Sequence, residues 1–261
     1  MLSAVEYLGR AALGVSKTWA DHFSLALSIL AKIFHRRSYS GIAIMVLINQ
    51  IYFTAIQILP LFFAVSIIMG FLITGIVFNL LKELGLAEYT GRIIMGFVVT
   101  ELSPFLTVLF LALRTSSAMN AEIATMKVNK ELHTLEVFNI DVISYLFLPR
   151  VISGVISVTL LSGIFSILAL AAGFVCSNLI FNMSLDGYAN LLLNSAEISD
   201  IAIILVKCST FGFFITLIPI RSGLNATNDL TSVPVAVLIG MVRVFVAIIA
   251  IEVLSLIARS I

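Results

Sequence analysis

Charge is scarce in this sequence: Asp, Glu, Lys and Arg make up 11% of its 261 residues, whereas an average soluble domain has about 25%. This scarcity excludes a water-soluble globular domain for most of the chain. The net charge is only +1, and there is no run of basic residues of the kind that binds nucleic acid. Because 61% of the residues are hydrophobic, the composition predicts an integral membrane protein with no nucleic-acid partner.

Motifs of catalytic and metal-binding proteins are also missing. The sequence has no GxxxxGKS/T phosphate-binding loop and no GxSxG nucleophile motif. Its three histidines are too scattered for metal-ligand spacing. Its two cysteines lie in apolar stretches, where cysteine is usually a small core residue. We therefore predict that this chain is not an enzyme and holds no cofactor or metal.

Long apolar runs predict five membrane-spanning helices, because about 20 helical residues cross about 30 Å of hydrocarbon. These helices, called spans one to five, are predicted at residues 58–81, 92–113, 150–181, 201–220 and 234–258. Residues 41–57 are also uncharged. Together with span one they form an uncharged stretch about twice as long as a helix needs to cross the membrane once. We therefore assign residues 41–57 to an in-plane or elbow segment of an all-α integral membrane protein.

The first 36 residues mix charges with scattered apolar positions, a pattern that predicts one or two amphipathic helices on the membrane surface. Trp19, the single tryptophan, suits an anchor at the membrane interface. A disordered leader is the alternative. The chain is thus predicted to divide into an N-terminal interfacial and elbow part, residues 1–57, and a five-helix membrane domain, residues 58–261.

One long polar segment, Arg114–Arg150, separates spans two and three. Its residues 118–138 predict a helix of mixed charge, which favours a docking helix for a cytosolic protein over a solvated loop. The residues predicted to make this contact are Glu122, Met126, Lys127, Glu131, Leu135, Glu136 and Asp141. The segment lies on the side of the membrane with ten Lys and Arg residues, against three on the other. The docking helix and the amino terminus are therefore predicted in the cytoplasm, and the carboxyl terminus outside.

Charged residues inside the predicted spans are candidates for function, because charge is costly at membrane depth. Glu101 in span two and Lys207 in span four lie about 12 and 9 Å below the outer ends of their spans and predict an ion pair. Arg243 in span five lies within about a turn of that level, so we predict that Glu101 is shared between the two cations. Glu252 lies nearer the outer end of span five and is expected to snorkel. A purely structural role for these charges is equally open.

Two further features accompany Glu101. Pro104 removes a backbone hydrogen bond and frees a carbonyl, a pattern seen where broken helices line a transporter cavity. On span one, Ile73, Val77 and Leu80 form an apolar stripe at the depth of Glu101. We predict an amphipathic cavity between this stripe and the charges, with an ordinary lipid-facing or core surface as the alternative.

The stretch from Glu101 to Arg150 resembles the MlaE permease family of ABC transporters, whose pattern is close to ELGPxLTALxxAGRxGSAxAAELGTMKVTEEIDALEVMGxDPxxYLVxPR. The match is dense and free of gaps. The segment VKCSTFG, which contains Lys207, is similar to the family segment IKSVVFG. Departures from the pattern occur at Leu113, Ser116 and Val142, and span five lacks a TTR-like start.

The resemblance implies a lipid transporter. Permeases of this family form homodimers and bind a cytosolic ATPase, which holds ATP and Mg²⁺, through a coupling helix between spans two and three. A periplasmic MCE-domain protein caps the outer face, and some systems add a STAS-domain subunit. They move phospholipid between the inner membrane and a periplasmic carrier, which maintains the lipid asymmetry of the outer membrane. By this resemblance we expect a multi-pass protein of the bacterial inner membrane with its coupling helix at residues 118–138.

Two other functions are compatible with the residues. An ion-coupled secondary transporter would use Glu101 and Lys207 for proton coupling and would run on a gradient without an ATPase. A non-transporting membrane scaffold would retain no lipid on purification, and replacement of Glu101 would affect only its stability. An adjacent gene for an ATPase with a phosphate-binding loop would favour the lipid transporter.

Overall fold

The apolar runs form long helices in the computed structural model, which describes residues 27–29, 31–32, 41–227 and 229–260. Within these residues there is no strand, which confirms the all-α prediction. The helices long and apolar enough to cross a membrane are Ile44–Glu83, Thr90–Val128, Ile143–Phe181, Ile198–Leu224 and Ser232–Arg259. The predicted number and order of spans are confirmed, and the names spans one to five are kept for these helices.

Span one begins earlier than predicted. Helix Gly41–Ala55 passes through a 3-10 turn at Ile56–Ile58 into helix Leu59–Glu83. Pro60 lies in the first turn of the second helix, where its missing N–H removes no helical hydrogen bond. The predicted division at residue 57 falls in this turn. That residue 57 separates two domains stays a prediction. The surface helices predicted before residue 27 lie outside the described residues.

The polar segment after span two does not form the single helix predicted for residues 118–138. Helix Ser117–Val128 is the end of span two, and a separate helix, Glu131–Val137, follows. Lys130 between them has a left-handed backbone, with φ of 59°, which a continuing right-handed helix does not allow. Within this polar segment, helix Glu131–Val137, called the loop helix below, stands apart from the spans, as helix Leu185–Leu193 does between spans three and four.

Span three is the centre of the bundle, and spans one, two and four pack around it. Glycines permit the closest crossings. A Cβ atom on Gly70 would lie 2.4 Å from the backbone of Ala169, and one on Gly212 would lie 2.5 Å from the Cα atom of Val155. In a membrane, where lipid is as apolar as the side chains, such close backbone approach is a main source of helix association.

A second junction joins the end of span two to spans four and five. Asn120, which is fully buried, donates a hydrogen bond to the carbonyl of Ala236 at 3.1 Å, and Ser222 donates to the same carbonyl at 2.8 Å. The contact depends on Gly240, because a Cβ atom there would lie 2.0 Å from Nδ2 of Asn120. Helix Ser117–Val128 is therefore held inside the bundle and is not a free docking helix.

Candidate functional site

Span two widens around its buried charge. Residues Ile94–Leu102 wind as a π-helix, a form that is frequent at functional sites, and Pro104 follows directly in the next helical segment. Pro104 has no N–H to donate to the carbonyl of Thr100, four residues earlier. Instead, Nζ of Lys207 donates to that carbonyl at 3.4 Å. The carbonyl that the proline leaves without an α-helical partner thus takes part in a polar site.

Lys207 lies between carboxylates from two other spans. Its Nζ atom forms an ion pair with Oε2 of Glu101 and lies 3.0 Å from the carboxylate of Glu252. Lys207 is 4% exposed and Glu101 is 8% exposed, so these charges are largely shielded from solvent. A low local dielectric strengthens the attraction between them and makes an unpaired member costly. The predicted pairing of Glu101 with Lys207 is confirmed by this contact.

Arg259 extends the cluster towards the end of the bundle opposite the loop helix. Its Nη1 atom lies 3.2 Å from Oε1 of Glu101 and donates to Oγ1 of Thr100 at 2.5 Å, and its Nη2 atom lies 3.5 Å from Oδ1 of Asp200. The cluster therefore ties spans two, four and five together. The side chain of Arg259 is 33% exposed and forms the accessible edge of the cluster.

Two predictions about this cluster are wrong. Arg243 is not a partner of Glu101, because it is exposed and lies near Ile239 in a groove at the other end of span five. Glu252, expected to snorkel, instead faces Lys207. Span five has 28 residues and is roughly 42 Å long. The depth of Arg243 was counted from the predicted cytoplasmic end of this long helix, and the counted depth came out too close to the depth of Glu101.

Sequence reasoning also missed Asp200 and Arg259. Both lie at the ends of predicted spans, where charges are expected at the membrane surface. A signal was nevertheless present: Asp200 precedes Lys207 by seven residues, and Glu252 precedes Arg259 by seven. Residues seven apart lie on the same helix face, so each span carries an acid and a base on one side.

The apolar stripe predicted on span one is divided between the core and the surface of the chain. Span one packs chiefly against span three, and Ile73 and Val77 are partly buried against the main core. Leu80, one turn further, is exposed. The cavity between this stripe and the charge cluster therefore stays a prediction. It would require a second chain to close it.

The loop helix exposes a mixed surface at the opposite end of span two. Leu132 is buried against the bundle, whereas Glu131 and Glu136 are exposed. Val137 and Phe138 beside them are 69% and 71% exposed. An exposed aromatic residue among charges is typical of a protein contact site. Val137 and Phe138 lie within the predicted docking helix, residues 118–138, but were not among its predicted contact residues.

The remaining predicted docking residues differ in exposure. Lys127 is exposed, whereas Met126 and Leu135 are partly buried. Glu122 forms an ion pair with Nη2 of Arg150 at 2.5 Å, and Arg150 is 1% exposed. Glu122 therefore connects the end of span two to the start of span three, in addition to any contact with a partner.

Asp141 connects the start of span three to the segment before span one. Its carboxylate forms an ion pair with Lys32 and accepts hydrogen bonds from Oγ of Ser144 at 2.8 Å and from the backbone N–H of Ile143 at 3.2 Å. Burial raises the pKa of Asp141, but these hydrogen bonds and the positive charge of Lys32 outweigh burial and hold its pKa below the usual value. Asp141 is therefore ionised at neutral pH and keeps this contact.

Comparison with known proteins assigns the whole arrangement to a family. A family model described as permease MlaE matches residues 47–258, which include nearly all of the five spans. The chain belongs to the MlaE permease family. This MlaE-family protein is accordingly a multi-pass membrane protein and a permease subunit.

Individual relatives of this MlaE-family permease carry similar names. A probable ABC transporter permease of Synechocystis is 29% identical over 167 residues, which cover 62% of this chain and 64% of that protein. A probable ABC transporter permease of Rickettsia typhi is 29% identical over 182 residues, 68% of each chain. The chloroplastic protein TRIGALACTOSYLDIACYLGLYCEROL 1 of Arabidopsis thaliana is 30% identical over 173 residues, 63% of this chain and 48% of that protein. The match thus spans somewhat less than two thirds of the Synechocystis protein and about half of the Arabidopsis protein.

Proposed function

We propose that this chain is the membrane subunit of an ATP-driven lipid transporter, which moves phospholipid between the inner membrane and a periplasmic MCE-domain carrier and so maintains the lipid asymmetry of the outer membrane. Two copies form a homodimer, and each binds a separate cytosolic ATPase subunit that holds ATP and Mg²⁺. The MCE-domain protein caps the outer face, and a STAS-domain subunit is a further partner. In this arrangement the chain lies in the bacterial inner membrane, with a cytoplasmic amino terminus and a periplasmic carboxyl terminus.

The observation that carries the proposal is the continuity of span two. This single span holds Glu101 in the buried charge cluster and leads, at its other end, into the loop helix. Glu101 and Val128, the last residue of span two, are 27 residues apart in the sequence, or roughly 40 Å along a helix. A displacement of the loop helix by an ATPase would therefore reach the charge cluster through one helix, as coupling of ATP hydrolysis to a membrane site requires.

The charge cluster and span one supply groups suited to a lipid. Arg259, at the accessible edge of the cluster, offers guanidinium N–H groups to an anionic headgroup, while Lys207 holds the cluster together behind it. Ile73, Val77 and Leu80 would form the apolar wall for acyl chains once a second copy closes the cavity. The name of the Arabidopsis relative contains that of a glycolipid, which supports lipid as the substrate class.

Purification from the native membrane, with identification of partners and lipid mass spectrometry, tests this function. We expect an ATPase with a phosphate-binding loop and phospholipid to co-purify, and the reconstituted complex to transfer phospholipid only when ATP is supplied. Transfer driven by an ion gradient without an ATPase would instead identify a secondary transporter. Purified protein without bound lipid and without transfer would identify a scaffold.

The variants Phe138→Ser and Glu136→Lys are expected to weaken binding of the ATPase. Loss of a contact residue of this kind costs about 2 kcal/mol or more, which corresponds to about 30-fold in affinity. The amount of ATPase that co-purifies with each variant measures the effect. The matched control is Glu88→Lys, which reverses an exposed charge at the other end of span two. If both variants retain as much ATPase as the control, the loop helix is not the docking site.

A further inference from the structure

A groove of about 410 Å³ opens beside Arg243, at the end of the bundle that carries the loop helix. Its polar lining consists of Ser222, Asn225, Thr227, Thr231, Ser232 and Arg243. Ala226 and Ala236, which also line it, pack against Ala124 near the end of span two. The groove is separate from the charge cluster, because Arg243 precedes Glu252 by nine residues, or about 13 Å along span five.

Arg243 is an exposed cation on an apolar helix face. It lies eleven residues after the first residue of span five, or roughly 16 Å along the helix, and Val242 and Val246 beside it are exposed. A charge near the centre of a membrane helix costs about 2.5–3.5 kcal/mol on insertion scales, and such charges pair with an opposite charge or reach a polar surface. Among the residues that the structure describes, no carboxylate lies within ion-pair distance of Arg243.

The groove also contains hydrogen-bond donors that remain available. Ser222 and Ser232 donate their hydroxyl hydrogens to backbone carbonyls. The side chains of Asn225, Thr227 and Thr231, by contrast, donate to no other group in the described part of the chain. An arginine and several uncharged donors around one concave surface suit the oxygens of a phosphate group.

We propose that this groove binds the phosphate headgroup of an anionic phospholipid from the leaflet on the loop-helix side. Arg243 pairs with the phosphate, and the amide group of Asn225 and the hydroxyl group of Thr227 donate to its other oxygens. The acyl chains lie along the exposed face of span five, where Val246, Ile249 and Val253 follow one another at helical spacing. On span five, Val235, Ala236 and Ile239 line the groove between Ser232 and Arg243, so the long side chain of Arg243 must extend towards the polar end of the groove to meet the headgroup.

Span five of a second copy does not offer Arg243 an anionic partner at the depth of Arg243. Residues 232–251 of span five contain no Asp or Glu. In a two-fold contact the same surface patch meets itself, so Arg243 would face apolar side chains or another arginine. Charge complementarity therefore favours an anionic lipid over a second copy.

Native mass spectrometry of the detergent-purified chain with added dioleoylphosphatidylglycerol tests the site. We expect Arg243→Gln to weaken lipid binding about tenfold, the effect of losing one charge-assisted contact. Arg243→Lys keeps the charge and is expected to retain most of the binding. The matched control is Arg92→Gln, which removes an exposed arginine at the opposite end of the bundle and is expected to bind as the original chain does. Thermal unfolding of each variant confirms that it is folded.

A photo-crosslinking benzophenone residue at Ile239, which lines the groove, identifies its occupant. A crosslink to phosphatidylglycerol that disappears in Arg243→Gln supports the proposal. Four results would overturn it: a crosslink to a second copy, equally strong binding of dioleoylphosphatidylcholine, displacement of the lipid by inorganic phosphate, or unchanged binding by Arg243→Gln. The experiment needs no ATPase, so its failure leaves the transporter proposal intact, and failure of ATP-driven transfer leaves the lipid site intact.

Discussion

The Lys207→Met substitution is expected to lower the melting temperature of the purified chain strongly. Lys207 lies between Glu101 and Glu252, and its removal leaves Glu252 without a cation among the described residues, whereas Glu101 keeps Arg259. Loss of one partner from a buried ion pair costs about 3–5 kcal/mol, largely because the remaining charge is uncompensated. Cys176 and Cys208 are free and buried, so their reaction with a thiol-specific dye measures unfolding.

Three companion variants separate the effect of charge from that of packing. Lys207→Arg keeps the cation and is expected to retain most of the stability. Lys82→Met removes an exposed lysine and is expected to have little effect. The double variant Lys207→Met with Glu101→Gln removes one charge of each sign and is expected to recover part of the loss. Equal melting temperatures for Lys207→Met and Lys82→Met would show that the cluster does not stabilise the bundle.

The Gly212→Ala substitution is expected to force spans three and four apart. A Cβ atom there would lie 2.5 Å from the Cα atom of Val155 and 2.8 Å from the backbone oxygen of Gly154. Both contacts are with backbone atoms, so no side chain can rotate away to make room. Overpacking of this kind costs about 1–3 kcal/mol, and we expect the upper part of that range. The thiol-specific dye again measures the melting temperature.

Gly163→Ala, in span three, is the matched control for Gly212→Ala. Among the described residues, no atom apart from the neighbouring backbone of the same helix lies within 4 Å of a Cβ atom at Gly163, so the added methyl group has space. Alanine is favoured over glycine inside a helix by up to about 1 kcal/mol, so this variant is expected to melt at the same or a higher temperature. If the two alanine variants melt at the same temperature, the close crossing at Gly212 is not important for stability.

The pairing of Glu101 with Lys207 was predictable because a helix rises by about 1.5 Å per residue, so that residue counts give depth in the membrane. Depth alone does not specify a partner, since it says nothing about the direction in which a side chain points around the helix axis. For this reason Arg243 was assigned to Glu101, whereas the second cation beside Glu101 is Arg259. Span five is also longer than the hydrocarbon layer is thick, so the depth of Arg243 obtained by counting residues from the end of the span was wrong.

The extent of the docking helix was not predictable from polarity. Ser116 and Asn120 are polar, yet both are buried, because they donate hydrogen bonds to the carbonyls of Ile215 and Ala236 on neighbouring spans. Polar side chains inside a membrane bundle commonly find partners on neighbouring helices. Only the arrangement of the helices shows which carbonyl is within reach, and hence which part of a polar segment is free to bind another protein.

By itself, the sequence determined the membrane class, the five spans, the polar segment between spans two and three, and a family pattern that the comparison with MlaE permeases confirms. These are properties of continuous stretches of chain, set by apolar length and helical rise. The tertiary structure decided which charges meet and which remain exposed. Lys207, Glu101 and Glu252 belong to three separate spans, and their contact depends on how each helix is rotated and how closely it packs. A buried charge is tolerated only with a partner at hydrogen-bond distance, and that distance exists only once the bundle has formed.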